Sequence, residues 1–236
     1  MTDFKSGQIL VFDKPLGWTS FQLVGKVRWM LCRAIGEKRL KVGHAGTLDP
    51  LATGVMVICT GKATKRIEEL QLGEKEYTAR LQLGATTPSY DLEHEVDATF
   101  PTAHIDEAAV DHALAQFRGE IDQVPPAFSA CKIDGKRAYD LARKGHDVEL
   151  KAKRITIHEL ELLHFSPDAM TLDIRVRCSK GTYIRALARD IGEALHSGAH
   201  LTALRRTRVG EYDVEHAFPD IDAFEKWLEA DTADHA

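Results

Sequence analysis

The chain has 236 residues, of which 44% are hydrophobic and 28% charged, with a formal net charge of −5. These values suit a globular protein with a full core. No segment approaches the ~20 consecutive apolar residues of a membrane span, and the N-terminus MTDFKSGQIL has no basic stretch followed by an apolar run. Neither a membrane anchor nor a secretory signal is therefore expected, and the protein reads as cytoplasmic. Cys32, Cys59, Cys131 and Cys178 are widely separated and form no CxxC, and the histidines are scattered, so neither a disulfide framework nor a metal site is expected.

Gln8–Asp13 reads as a buried strand, ended by the turn Lys14–Gly17. Thr19 or Ser20 can cap a helix running to about Cys32, with Phe21, Val24, Val27 and Leu31 near helical spacing. Residues 43–54, with three Gly and one Pro, must be irregular. A short strand over Val55–Cys59, a short helix over Ala63–Leu70 and an alternating strand over Lys75–Leu83 follow. Ile105 and Val110 flank an Asp106 N-cap as a hydrophobic staple, and that helix ends near Phe117. Val124-Pro125-Pro126 breaks the chain. Residues 127–150 read as a basic insertion, with a turn at Asp134-Gly135 and a short helix through Tyr139 and Leu141.

Arg154–Phe165 and Met170–Cys178 read as an antiparallel hairpin about Ser166-Pro167-Asp168. Thr182 caps a helix that buries Ile184, Leu187, Ala188 and Ile191 and closes at Gly192. A final strand spans His200–Tyr212, and a short helix Asp222–Leu228. Helices and strands mix without βαβ regularity, which predicts an α+β fold with a mostly antiparallel sheet.

Charge is unevenly spread. Residues 211–236 hold nine acids and one base, Lys226; without them −5 becomes +3. Residues 175–208 carry eight Arg/Lys against Asp190 and Glu193, and residues 132–154 eight bases against four acids. Two basic stretches on an acidic background are compatible with an anionic partner.

The Gly-rich segment must be tested as a phosphate loop. A Walker loop around Gly61-Lys62 needs Gly at position 56 and Ser/Thr at 63, where Met56 and Ala63 stand. No GxGxxG occurs, so nucleotide hydrolysis is not supported. What remains in GHAGTLDPLATG is one carboxylate, Asp49, which taken alone reads as a turn aspartate.

The segment Lys41–Gly54 (KVGHAGTLDPLATG) closely resembles the hallmark of the TruB family of tRNA pseudouridine-55 synthases. Five further blocks resemble that family in the same order: Leu10–Ser20 (LVFDKPLGWTS), Lys75–Ala79 (KEYTA), Pro126–Tyr139 (PAFSACKIDGKRAY), Cys178–Arg185 (CSKGTYIR) and Gly198–Arg206 (GAHLTALRR). The resemblance implies a pseudouridine-synthase fold, a mixed, mainly antiparallel central sheet flanked by helices. It implies a catalytic domain over 1–212 with an RNA-gripping insertion at about 124–152. Residues 213–236 then form a short acidic extension, with no C-terminal PUA-type RNA-binding domain.

The implied reaction is isomerisation of uridine-55 in the tRNA T-loop, with no cofactor and no obligate protein partner, by a monomer. The glycosidic bond breaks, the uracil rotates, and its C5 joins the same ribose carbon. By resemblance Asp49 is the essential carboxylate, acting as stabiliser of sugar charge, nucleophile or ribose base. Arg185 is the cation that offsets its desolvation, and Asp91 positions Arg185. Tyr77 stacks on the target uracil and takes part in removing its C5 proton, while Tyr183 lines the same cavity. His44 occupies the space left by the flipped base or contacts the loop, and Leu204 offers a backbone contact. Lys14, Lys132, Arg137, Arg143, Lys144, Arg205 and Arg206 are phosphate-contact candidates. Two rival readings are a non-catalytic tRNA-folding chaperone, and a glycosidase that would need Asp91 as a second acid.

Overall fold

The computed structural model describes residues 2–128 and 150–233, together with the backbone of 132–133 and 136–137. In chain order its elements are β1 (Ile9–Lys14), α1 (Ser20–Ala34), β2 (Val42–His44), β3 (Ala52–Thr60), a 3₁₀ segment (Gly61–Arg66), α2 (Ile67–Leu72), β4 (Lys75–Leu83), β5 (Ala85–Thr86) and β6 (Ala98–Thr99). There follow α3 (Glu107–Ala115), β7 (Gly119–Gln123), β8 (Lys132–Ile133), β9 (Lys136–Arg137), β10 (Lys153–Ser166), β11 (Thr171–Cys178), α4 (Ile184–Ala194), β12 (Ala199–Val209), β13 (Tyr212–Asp213) and α5 (Ile221–Ala233). The pairs β1–β3, β2–β3, β7–β10, β10–β11 and β12–β13 are all antiparallel. This is the expected α+β class.

The chain divides into two compact units, residues 1–77 with 205–236, and residues 78–204. In the first, the strand order is β1–β3–β12, with β2 on β3 and β13 on β12. β3 is buried along nearly its whole length, as its run of Val, Met, Ile and Cys dictates. It begins at Ala52, three residues before the expected Val55, and β1 pairs with it from Gly54 onward, Lys14 with Gly54 and Asp13 with Val55. Thr19 caps α1 with a full capping box through Gln22. α1 buries Leu23, Val24, Val27, Met30 and Leu31. Phe21, expected on that face, is 75% exposed: the buried stripe starts at Leu23, and Phe21 falls outside its arc.

The C-terminal segment is part of this unit. α5 runs Ile221–Ala233, longer than expected, and Phe224 and Leu228 are buried. Phe224 packs edge-on against Phe12 at 5.0 Å and stacks on Trp227 at 5.8 Å between centroids. Asp231 accepts from the Thr2 N–H and hydroxyl, each at 2.7 Å.

In the second unit the order is β12–β4–β11–β10–β7. β4 and β11 alternate buried and partly exposed residues, the period of a sheet with one dry face. Asp106 caps α3 by accepting from Ala109 N–H at 2.8 Å, and Ile105 and Val110 are both buried. The strand β7 was hidden in the sequence because GEIDQ carries acids on an edge. The α4 cap also differs from expectation. The Thr182 hydroxyl donates to the Ser179 carbonyl at 3.0 Å, and the N-cap residue is Tyr183. Gly192 lies inside α4 because a Cβ there would stand 2.4 Å from Ala199 N; it permits close packing rather than ending the helix. Within the insertion, Lys132 pairs with Arg137 and Ile133 with Lys136. The expected turn at 134–135, the helix through Tyr139 and Leu141, and the side chains of Lys132, Arg137, Arg143 and Lys144 lie outside the described residues.

Candidate functional site

The residues selected from sequence fall into two groups, one in each unit. In the first unit Asp49 lies in the turn between β2 and β3 and is half-buried. Few side chains could fix such a Gly-rich turn, so the neighbouring backbone is clamped from outside it. The Ser20 hydroxyl donates to the Leu48 carbonyl and accepts from the Leu48 N–H, both at 2.9 Å. Gly17 N–H donates to the Pro50 carbonyl at 2.8 Å, and Ala52 N–H to the Asp49 carbonyl at 3.1 Å.

Two buried cations complete the clamp. Lys14 is 0% exposed. Its Nζ donates to the carbonyls of Trp18 at 2.6 Å, Pro15 at 2.9 Å and Pro50 at 3.5 Å. Arg206 is 2% exposed and donates to the carbonyls of Val55 at 2.8 Å, Gly46 at 3.2 Å and Thr47 at 3.3 Å. Both were expected at RNA phosphates. Lys14 is spent mainly on the β1–α1 turn and reaches the Asp49 turn at Pro50, Arg206 is spent on Val55 and on the Asp49 turn at Gly46 and Thr47, and neither is open to an external phosphate. Burial pulls the Lys14 ammonium down to about 8; the Asp49 charge opposes that shift and Arg206 adds to it.

His44, the last residue of β2, is half-buried. Burial lowers its pKa, a hydrogen bond with the Gly46 backbone resists this, and Arg206 adds a smaller push down. It is therefore a neutral imidazole near pH 7. Its Nδ1 is buried and has no hydrogen-bond partner among the described residues. Tyr77, on β4, is 8% exposed. Arg205 makes a forked pair with the Asp13 carboxylate at 2.6 and 3.0 Å and reaches Thr53 Oγ1 at 3.3 Å. A phosphate there would compete with Asp13.

In the second unit Asp91 and Arg185 are each 6% exposed, and Asp91 Oδ2 lies 3.7 Å from Arg185 Nε. Asp91 Oδ1 accepts from the Ser89 hydroxyl at 2.6 Å and from Glu93 N–H at 3.0 Å. Arg185 also donates to the carbonyls of Ser89 at 3.2 Å and Phe128 at 2.9 Å. A cation this deep is normally paired and fully hydrogen-bonded, as here; it is not a surface arginine. Tyr90, beside Asp91, has φ +59°, the left-handed region that is strained for an aromatic residue. Leu201 N–H fixes it by donating to the Tyr90 carbonyl at 2.9 Å.

Tyr183 is locked at its backbone. Its N–H donates to Gln123 Oε1 at 2.9 Å, and Gln123 Nε2 donates to its carbonyl at 3.2 Å. Leu204 is half-buried on β12. His94 and Phe128 meet ring to ring at 4.7 Å, a contact no sequence pattern announced. No group of three or more metal-ligating side chains occurs among the described residues.

The sequence profile described as TruB family pseudouridylate synthase, N-terminal domain, matches residues 33–184. That described as tRNA pseudouridylate synthase B C-terminal domain matches residues 185–235. The chain belongs to the TruB family. A tRNA pseudouridine synthase B of Bacteroides thetaiotaomicron is 66% identical over 229 residues, covering 96% of this chain and 95% of the relative. One from Flavobacterium johnsoniae is 55% identical, covering 96% and 98%. One from Thermobifida fusca is 52% identical, covering 89% of this chain and 71% of its own. Among solved structures, a chain of a Cbf5-Nop10-Gar1 complex has TM-score 0.65 and 29% identity, covering 89% of this chain. This TruB chain spans about half of that neighbour, 50% of its length. The fold is that of the pseudouridine synthases.

Proposed function

We propose that this chain converts uridine-55 in the T-loop of tRNA to pseudouridine, with Asp49 as the essential carboxylate. The observation that carries the reading is the clamped turn. Ser20, Lys14 and Arg206 hold the backbone around Asp49, in a chain whose near-full-length relatives are named tRNA pseudouridine synthase B. Holding a carboxylate still is what charge stabilisation or covalent attack at a sugar carbon requires.

The reaction conserves atoms. The C1′–N1 bond breaks, a C1′–C5 bond forms, the C5 proton leaves, and N1 gains a proton. Positive charge at C1′ favours a fixed anion on that face of the ribose. Asp49 is assigned to that anion, as electrostatic partner, nucleophile or ribose base. Tyr77, buried on β4, is assigned to stacking on the uracil and to the C5 proton. Arg185, held by Asp91, supplies the compensating cation. Tyr183, His44 and Leu204 are assigned to the target nucleotide and its loop. Basic side chains of the insertion, Lys132 among them, are assigned to phosphate. The protein is taken to act as a cytoplasmic monomer on tRNA.

The test is to incubate the protein with an unmodified tRNA transcript and map pseudouridine by position. One product at position 55 is expected. Asp49→Asn should keep the fold and bind tRNA like the parent yet form no product; near-normal turnover by this variant would remove Asp49 from its role. Tyr77→Phe should slow a single turnover strongly while leaving affinity nearly intact.

A further inference from the structure

The outer face of α1 is unusual for a solvent-facing surface. Phe21 is 75% exposed and Trp29 51% exposed. They stand eight residues apart with Gly25 midway, so all three share one side of the helix, the rings about 12 Å apart along its axis at ~1.5 Å per residue. A Cβ on Gly25 would meet nothing within 4 Å, so the gap between the rings is open to its floor. Lys26 Nζ lies 4.9 Å from the Trp29 ring centroid and Arg33 Cζ 5.5 Å from it. α1 contains no acid. Across residues 16–41 there are six bases, Lys26, Arg28, Arg33, Lys38, Arg39 and Lys41, against the single acid Glu37. Glu37 is engaged by Lys5. The local excess is +5 on a chain of −5.

We propose that this face is an RNA track that continues the substrate interface outward from the Asp49 turn. It takes phosphodiester backbone on Lys26, Arg33, Lys38 and Arg39, and an unstacked base on Phe21 or Trp29. Exposed rings set among cations are what sequence-tolerant RNA surfaces are made of: cations track phosphates and π-faces accept bases. The track is continuous with the Asp49 turn, because Ser20, next to Phe21, holds Leu48 by two hydrogen bonds. Charge selects the partner. Each phosphate is an anion, and no residue of α1 would repel it. A lipid surface fits less well. The broad apolar face that an interfacial helix needs is already buried through Leu23, Val24, Val27, Met30 and Leu31.

The inference rests on the tRNA reading above and concerns binding, so the two can fail separately. The experiment uses the full chain and unmodified tRNA transcript, with affinity measured by anisotropy at several salt concentrations and single turnovers measured at saturating enzyme. Two double variants are made, Lys26→Gln with Arg33→Gln and Phe21→Ala with Trp29→Ala; Phe21, Trp29 and Arg33 are exposed and Lys26 is half-buried. Thermal melts check that the fold is kept.

The charge variant should weaken tRNA binding about 5-fold or more and flatten the slope of log Kd against log salt by about 1 to 2. The ring variant should weaken binding about 10-fold with the slope unchanged. Saturated single-turnover rates should stay at the parental value in both. Parental affinity and slope in both variants would overturn the track. So would unchanged RNA binding accompanied by lost binding to phosphatidylserine vesicles, or by a changed monomer–dimer distribution, which would give the face to a membrane or to a second copy. A parent chain that binds tRNA without forming pseudouridine would sink the activity and leave the track standing.

Discussion

The Ser20 hydroxyl satisfies both backbone groups of Leu48, donating to its carbonyl and accepting from its N–H at 2.9 Å each. Both residues are buried, so Ser20→Ala strands a donor and an acceptor where water does not reach. The expected cost is about 1–3 kcal/mol, or a drop in Tm of roughly 2–4 °C per kcal/mol. Because Leu48 precedes Asp49, loosening it should also misplace the carboxylate, and about a 10-fold slower single turnover is expected. Calorimetry and rapid-quench measurements check the two effects. A lower Tm with a parental rate would mean that the clamp serves stability alone.

Two glycines of the first unit should answer the same substitution in opposite directions. Gly54 has φ +107°, and a Cβ there would stand 2.1 Å from the Arg206 carbonyl oxygen. β3 and β12 approach too closely for a methyl group, so Gly54→Ala combines backbone strain with overpacking, roughly 1–3 kcal/mol from each. Gly25, inside α1, has open space at the same position. Gly25→Ala should stabilise by about 0.8–1 kcal/mol through helix propensity. Denaturant melts of the pair test the geometry, and a stabilised Gly54→Ala would contradict it.

Lys14 predicts a pH signature. Its ammonium is held at about 8 in the folded chain, against 10.5 when solvated. Between those values the unfolded chain binds the extra proton. The contribution of Lys14 to stability therefore rises with pH across that window, by at most about 1.4 kcal/mol per pH unit. Below about 8 the burial penalty is fully present. Unfolding free energies of the parent and Lys14→Met should diverge in the parent's favour from pH 8 to 10.5 and run parallel from pH 6 to 7.5. In Asp49→Asn the lower edge of the window should move down, since the Asp49 charge is what raises Lys14.

The sequence made the strands and helices legible wherever a period was clean: β4 through its alternation, α3 through its staple, the β10–β11 hairpin through its turn. The same reading missed β7 because acids on an edge strand hide the period. It misjudged Phe21, whose spacing fits the buried stripe but whose position lies just off it. At the site, the motif blocks named Asp49 and Arg185, and Asp91 came only from the wider resemblance. They did not tell which cations are buried. Lys14 and Arg206 look like any phosphate-seeking bases in sequence, and only the fold turns them inward onto carbonyls. The fate of a cation depends on which backbone groups would otherwise go unpaired, and that is a tertiary property.

His94 gives the last prediction. Its ring leans on Phe128 at 4.7 Å and 41°, and its Nδ1 is buried with no hydrogen-bond partner among the described residues. The Phe128 carbonyl accepts from Arg185 at 2.9 Å. The ring thus supports a residue that helps hold the Arg185 guanidinium, while its nitrogen costs about 1–3 kcal/mol. His94→Phe keeps the aromatic contact and removes the stranded nitrogen, so Tm should rise by about 2–4 °C per kcal/mol recovered with turnover unchanged. His94→Gly removes the contact as well. Arg185 should then be less well held, and the saturated single-turnover rate should fall severalfold while tRNA affinity stays near parental. Equal melting temperatures and equal rates in both variants would show that the ring contact carries nothing. A slower His94→Phe would instead assign the nitrogen itself a part in the reaction.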